Sequence, residues 1–430
     1  MKKVITLSLV LLLFSFLISG CTRQSTTPST QNIWQKTYGG GGDDDAWSIQ
    51  QTKDGGYIVA GSTESFGAGG YDVYLIKLDE NGNMVWEKTY GGSDDDRAYS
   101  IQQTTDGGYI VAGRTNSFGA GYADVYLIKL DADGKMVWEK TYGGSDDDGA
   151  WSIQQTKDGG YIVAGYTSSF GAGGLDVYVI KLDANGNELW KKTYGGSDDE
   201  IAVIKQTKDG GYIVAGWTKS FGAGSLDVYI IKLDANGNKV WEKTYGGSGD
   251  DWANSIQQTT DGGYIVAGGT YSFGAGSLDV YIIKLDANGT KLWEKTFGES
   301  NDDDAWSIQQ TKDGGYIVAG YTNSFGAGYE DVYVIKLDEN GNKVWEKTYG
   351  GSDYDGTYAI QQTKDGGYIV AGYTYSFGAG YSDIYVIKMD SEGNTGPYPP
   401  IQGVSGALKS MEKPFGSPFD KMFPHGFLKK

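Results

Sequence analysis

Cysteine and histidine are all but absent: the 430 residues hold one of each, Cys21 and His425. A single thiol rules out an intramolecular disulfide. Because neither residue lies between positions 33 and 394, that stretch can build no Cys/His zinc cage and no histidine-based catalysis. Proline is also scarce, with 7 residues, and only Pro28 precedes position 395. Basic charge is short: 36 Lys and Arg stand against 55 Asp and Glu, a formal charge of -19. Such a surface lacks the cationic footprint that phosphate binding needs, so nucleic acid is excluded as a partner and acidic ligands in general should be repelled. No segment shows sustained helical periodicity, and the one extended apolar run, Val4 to Ile18, is too short to span a bilayer comfortably.

What fills the chain is repetition. Seven near-copies of a 52-residue unit run from Ile33 to Asn394, marked by Trp34, Trp86, Trp138, Trp190, Trp241, Trp293 and Trp345. The unit reads W-E-K-T-Y-G-G-S-D-D-D-x-A-W-S-I-Q-Q-T-K-D-G-G-Y-I-V-A-G-x-T-x-S-F-G-A-G-x-x-D-V-Y-x-I-K-L-D-x-N-G-N, and only the fourth copy is short, by one residue. Each copy holds four stretches rich in β-branched and aromatic residues, in the first set Ala46 to Thr52, Tyr57 to Thr63, Asp72 to Leu78 and Met84 to Tyr90. The Asp54-Gly55 and Asn81-Gly82 pairs between them suit the positive φ of tight hairpins, so consecutive strands should pair as an antiparallel meander.

Four meandering strands repeated seven times predict an all-β fold, a seven-bladed β-propeller with four antiparallel strands per blade. Where an eighth tryptophan is due the chain shows Pro397, while the first unit opens with a W-strand that has no preceding partner. Ring closure answers both: the N-terminal W-strand at Trp34 should complete the last blade, formed by Tyr358 to Asp390. Gly61 and its equivalents are expected to leave room where blades crowd.

With these motifs the chain resembles bacterial and archaeal envelope proteins built from tandem W-x-K-T-Y-G-G and D-G-G-Y-I-V-A-G repeats, members of the wider β-propeller world. The turn from Leu78 to Trp86 is also similar to the Asp-box of sialidase-type propellers and to the blade signature of quinoprotein-type propellers. In both, the resemblance implies that Asp and Trp fix a hairpin and dock it against the next blade. It carries over no activity, because propellers host many.

The first residues read as a targeting segment. Lys2 and Lys3 precede the apolar run, and Ile18-Ser19-Gly20-Cys21 resembles a bacterial lipobox. That resemblance implies a signal peptide at 1–20 and a lipidated Cys21 whose acyl chains hold the protein on a membrane of the cell envelope, facing outside the cytoplasm. Residues 21–32 read as a flexible tether, 33–394 as the propeller and 395–430, with six prolines and five lysines, as a disordered tail.

In a meander the acidic loops and the S-F-G-A-G loops share one face. Asp43, Asp44, Asp45, Asp94, Asp95, Asp96, Asp146, Asp147 and Asp148 typify the acidic clusters, which make calcium a candidate guest even though no EF-hand pattern is present; the plainer reading is that they cap turns. Positions that vary between otherwise constant units follow each A-G and include Arg114, Tyr166, Trp217, Tyr321 and Tyr373, with Tyr271 and Tyr375 two residues beyond their own repeats' equivalents. A third variable site includes Tyr122, Leu175, Leu226, Leu278, Tyr329 and Tyr381. A constant frame with varied aromatic positions predicts a binding face. An enzyme needs an asymmetric site, and Arg97, Arg114, Glu200, Trp217 and Trp252 are the few residues that break the symmetry. The expectation is a monomeric, non-catalytic module that binds or scaffolds a protein or glycan. A quinoprotein-like envelope-assembly scaffold and a calcium-dependent polysaccharide-cleaving propeller stand as alternatives.

Overall fold

The computed structural model describes residues 32–399; the expected signal peptide, Cys21, most of the tether and most of the tail lie outside them. Among the described residues there are 28 strands, β1 to β28 in chain order, and no helix long and apolar enough to cross a membrane. They form seven four-stranded antiparallel sheets. The first complete blade runs β2 (Asp44–Gln51), β3 (Tyr57–Thr63), β4 (Asp72–Leu78) and β5 (Met84–Tyr90) in spatial order. Three of these match the sequence reading residue for residue. The first starts two residues earlier, because Asp44 pairs in register with Thr63 while its carboxylate serves the neighbouring loop.

Closure is as expected. Strand β1 (Trp34–Tyr38) pairs antiparallel with β28 (Asp383–Met389), Trp34 opposite Lys388 and Tyr38 opposite Ile384, to complete the sheet β1-β28-β27-β26. The same strand also grips the first blade. Trp34 lies against Gly82, where an added Cβ would come within 2.8 Å of the indole ring. Lys36 Nζ donates to Asn81 O at 2.8 Å, and Tyr38 Oη to Gly82 O at 2.6 Å. Trp86 lies likewise against Gly134 and Trp138 against Gly186, so each W-strand latches onto the Asn-Gly (or Asp-Gly) hairpin of the following blade. On the inner side a ladder of glutamines links blades: Gln50 Oε1 accepts from Gln103 N at 2.6 Å, and Gln361 Oε1 closes the circle by accepting from Gln51 N at 2.6 Å.

The middle strands are buried along their whole length except at Arg114, with the W-strand outermost and mostly accessible. Seven hydrophobic clusters sit between adjacent blades, each mixing residues of two sheets. Each blade also buries one lysine of its third strand. Lys181, 4% exposed, places Nζ 3.0 Å from Asp158 Oδ2 and donates to Thr156 Oγ1 and Leu182 O, both at 3.1 Å. An ammonium taken from water is tolerated only when its protons are satisfied in this way.

One expectation needs correcting. Gly61 does not relieve crowding between blades: a Cβ there would lie 1.8 Å from Asp45 O, on the neighbouring strand of its own blade. The close approach does not depend on the β-bulge at Trp47, where the register passes from Ala46–Gly61 to Ser48–Ala60: Gly216, in the fourth blade's unbroken register, would meet Ile201 O at the same 1.8 Å.

Candidate binding site at the propeller axis

The innermost strands are β2, β6 (Asp96–Gln103), β10 (Asp148–Gln155), β14 (Glu200–Gln206), β18 (Asp251–Gln258), β22 (Asp303–Gln310) and β26 (Asp355–Gln362). Six have eight residues and carry the bulge, whose extra residue is Trp47, Tyr99, Trp151, Asn254, Trp306 or Tyr358. Strand β14 has seven residues and an unbroken register, Val203 pairing with Ala215 as Ser48 pairs with Ala60, so the one-residue deficit of the fourth unit is a lost bulge. All seven inner strands contribute to one recess of about 120 Å³, lined by Trp47, Tyr99, Trp151, Val203, Asn254, Trp306 and Tyr358 with Trp217 above Ile201 and Ala202. A cavity walled by every blade lies on the ring axis.

Its aromatic wall is continuous over five blades. Trp47 stacks on Tyr358 at 4.0 Å and meets Tyr99 edge-on at 5.3 Å; Tyr99 reaches Trp151 at 4.3 Å, and Tyr358 meets Trp306 edge-on at 5.1 Å. Beside the gap in this wall, the Asp304 carboxylate accepts from Ala305 N at 2.8 Å, Trp252 Nε1 at 3.4 Å and Asn254 Nδ2 at 3.5 Å. Burial pushes its pKa up to about 8 against the pull of those donors.

The residues expected to form an exposed binding face fall into two groups. Tyr166, Trp217, Tyr321 and Tyr373 are buried in the axial cluster, because the position after A-G is the penultimate residue of a middle strand and points to the axis. Arg114, at the same position, is half-buried and donates from Nη2 to Asn116 Oδ1 at 3.0 Å. Tyr271 is exposed and Tyr375 half-buried. The third variable site is two adjacent positions with opposite fates: Tyr122, Tyr329 and Tyr381 are exposed, whereas Leu175, Leu226 and Leu278 are buried.

The acidic clusters share a face with the S-F-G-A-G loops, joined by bonds such as Glu64 N to Asp43 O at 2.8 Å, but their carboxylates diverge. Asp44, Asp96 and Asp148 are fully buried, and each accepts from a loop glycine N–H and a serine hydroxyl, for Asp44 at 2.7 Å from Gly40 and 2.6 Å from Ser65. Asp95 accepts from Tyr71 N at 3.1 Å. Asp45, which is buried, accepts from Ser382 Oγ at 2.9 Å, while Asp43 and Asp147 are half-buried and Asp94 and Asp146 exposed. Among the described residues no group of three acidic, cysteine or histidine side chains converges to hold a metal ion. Turn capping accounts for the placement of the buried carboxylates Asp44, Asp96 and Asp148. Of the symmetry-breaking residues, Arg97 stacks on Tyr71 at 3.7 Å and pairs with Asp95 at 3.5 Å, and Glu200 replaces an aspartate in its capping role.

The bulge residues were missed by sequence reasoning, which placed Trp47 and its equivalents in the strand without assigning them to the axis. A signal did exist: one unit a residue short, and a position that reads Trp, Tyr, Trp, Asn, Trp and Tyr in the six full-length units.

A family model described as a β-propeller domain of unknown function, DUF5122, matches residues 156–187, 207–239 and 260–291. Among curated proteins, the regulatory protein FlaEY of Caulobacter vibrioides is 27% identical over 223 residues, an alignment that covers 46% of this chain and 22% of that protein. Among solved structures, the WD40 domain of Pan2 from Neurospora crassa aligns with a TM-score of 0.51 at 13% identity, covering 80% of this chain and 88% of that one. Sqt1 from Chaetomium thermophilum gives 0.48 at 14% identity, with 85% of each chain covered. The repeats, the seven closed sheets and the family match together establish a tandem-repeat, seven-bladed β-propeller.

Proposed function

We propose that the chain is a non-catalytic, ligand-binding propeller held on the cell envelope through a lipidated Cys21, with a glycan or protein as its partner. A propeller fold serves in general as a scaffold or binding module, and the observation that carries the reading here is the axial recess, walled by aromatic rings from five blades and widened where the fourth and fifth blades lack one. Enclosed, mostly apolar hollows with a few polar groups are where ligands bind. The acidic residues are engaged in holding loops and stand at seven near-equivalent places, which favours a structural role over paired carboxylates set for hydrolysis. The Caulobacter relative bears the name of a regulatory protein, in keeping with binding rather than turnover.

The test is a glycan and protein array probed with the full chain, with and without calcium. Specific retention that is indifferent to calcium supports the proposal. Retention of nothing, or release of shortened glycan products, overturns it. For the anchor, Cys21→Ser should move the protein from the membrane fraction to the soluble one.

A further inference from the structure

Resting on the reading of this propeller as a binding module, we infer that the axial recess receives the terminal ring of a neutral oligosaccharide, whose following residues lie outward along tyrosines of the sixth and seventh blades. Four observations converge on that ligand. The recess opens where the collar of Trp47, Tyr99, Trp151, Trp306 and Tyr358 is broken: the fourth unit has lost its bulge residue, leaving Val203 on the lining, and the fifth carries Asn254 as its bulge residue. At about 120 Å³ it falls below the ~300–1,000 Å³ of sites for drug-sized ligands, which suits one ring and not a chain.

The wall offers both flat aromatic faces and hydrogen-bond donors. Trp47, Trp306 and Tyr358 line the recess and are 7%, 8% and 6% exposed, and Trp47 Nε1, Trp306 Nε1 and the Tyr358 hydroxyl are buried with no hydrogen-bond partner. Buried donors left in that state are costly unless a ligand supplies acceptors. A pyranose does so, since its C–H face lies on an aromatic ring while its hydroxyls accept from the rim. Charge sets the class of sugar: with a formal -19 on the chain, uronic and sialic acids are repelled.

The fourth observation is the path out. Tyr329, 60% exposed, stacks on Tyr354 at 5.2 Å and 12°; Tyr354 meets Tyr375 at 6.2 Å, Tyr375 meets Tyr373 at 6.1 Å, and Tyr373 reaches Tyr358 at 5.5 Å. A run of ring contacts thus links the exposed Tyr329 to the collar through the buried Tyr373. Tyr354 stands where other units have an aspartate such as Asp95, Asp147 or Asp302, so no other blade can form this track.

The experiment titrates the full chain with neutral hexasaccharides of glucose, galactose, mannose and N-acetylglucosamine and with their constituent monosaccharides, followed by calorimetry and tryptophan fluorescence. At least one hexasaccharide should bind and quench. Val203→Trp, which fills the recess, should weaken it at least tenfold. Trp306→Phe, which keeps the ring and removes the N–H, should weaken it several-fold without altering the melting curve, and so covers the case in which the larger substitution misfolds. Tyr354→Ala should weaken the hexasaccharide several-fold while leaving the matching monosaccharide unchanged, and Tyr122→Ala, on an exposed site off the track, should change neither. The inference is overturned if no neutral hexasaccharide binds at millimolar concentration, or if Val203→Trp and Trp306→Phe both bind as the parent does. A protein retained on the array by the same chain would then leave the binding-module reading standing with this inference gone; an array that retains nothing removes both.

Discussion

Removing Asp158 strands the Lys181 ammonium. Its Nζ lies 3.0 Å from Asp158 Oδ2 inside a residue only 4% exposed, and alanine at 158 would leave it Thr156 Oγ1 and Leu182 O alone. Breaking a buried ion pair from one side costs about 3–5 kcal/mol. The Asp158 side chain is itself 59% exposed, so water screens part of the pair and about 2 kcal/mol is the expected loss. With about 2.1 cal/mol/K of unfolding entropy per residue, that lowers the Tm of a body this size by roughly 2–3 °C. Lys181→Met removes the charge that Asp158→Ala exposes to its apolar surroundings. The double variant should therefore return to within about 1 kcal/mol of the parent, since an ion pair replaced by packed apolar groups is often neutral. Differential scanning calorimetry on the parent, both single variants and the double variant at neutral pH reads the coupling. Strictly additive losses would refute the idea that the carboxylate is there to satisfy the lysine.

Other outcomes follow from the same geometry. Gly61→Ala puts a methyl 1.8 Å from Asp45 O and should cost about 3 kcal/mol or more by overpacking, whereas Gly41→Ala, with nothing within 4 Å, should be nearly silent in the same thermal melt. Trp34→Ala should lower the Tm more than Trp138→Ala, because Trp34 is buried at the clasp and Trp138 half-buried in the equivalent latch; equal losses would argue that the clasp adds nothing. Stability should peak near about pH 4–5, because two sets of aspartates pull in opposite directions around the ordinary unfolded value of about 3.9. Burial opposes ionisation of Asp209 and Asp261, but hydrogen bonds from Thr207 and Lys232, and from Lys284 and Thr259, hold them at about 2. Their contribution is full above the unfolded value and lost as pH falls toward 2. Burial raises Asp355 to about 6 and Asp304 to about 8, so their contribution is full below the unfolded value and lost as pH rises through those figures. A Tm that is higher at pH 8 than at pH 4.5 would contradict the assignment.

The architecture was legible because every local signal is stated seven times: Asp-Gly and Asn-Gly at the hairpins, β-branched runs between them, and a W-strand surplus at one end matched by a deficit at the other. The site was only partly legible. Variation at Tyr166, Trp217, Tyr321 and Tyr373 was visible and the position fell inside the expected strand, but which way it points was not, since both faces of a middle strand are apolar and alternation does not say which residues face the axis. The bulge was hidden for a related reason. A single extra residue reverses which side chains face inward, and alternation alone cannot say which of Ala46, Trp47 and Ser48 is the one left over. Turn capping by Asp44 and Asp96 was expected, but their complete burial was not, because sequence does not reveal that a serine hydroxyl from the adjoining loop closes over them along with the glycine amide.

Both the recess and the collar require the ring to be closed, and amide hydrogen exchange on β28 tests this most directly. In the full chain, the edge of Asp383–Met389 is covered by Trp34–Tyr38, so its amides should exchange as slowly as those of the equivalent strand Asp331–Leu337. A chain lacking residues 32–38 should lose that protection in Asp383–Met389 while keeping it in Asp176–Leu182 on the far blade. Fast exchange on Asp383–Met389 in the full chain, or protection unchanged by the deletion, would contradict closure.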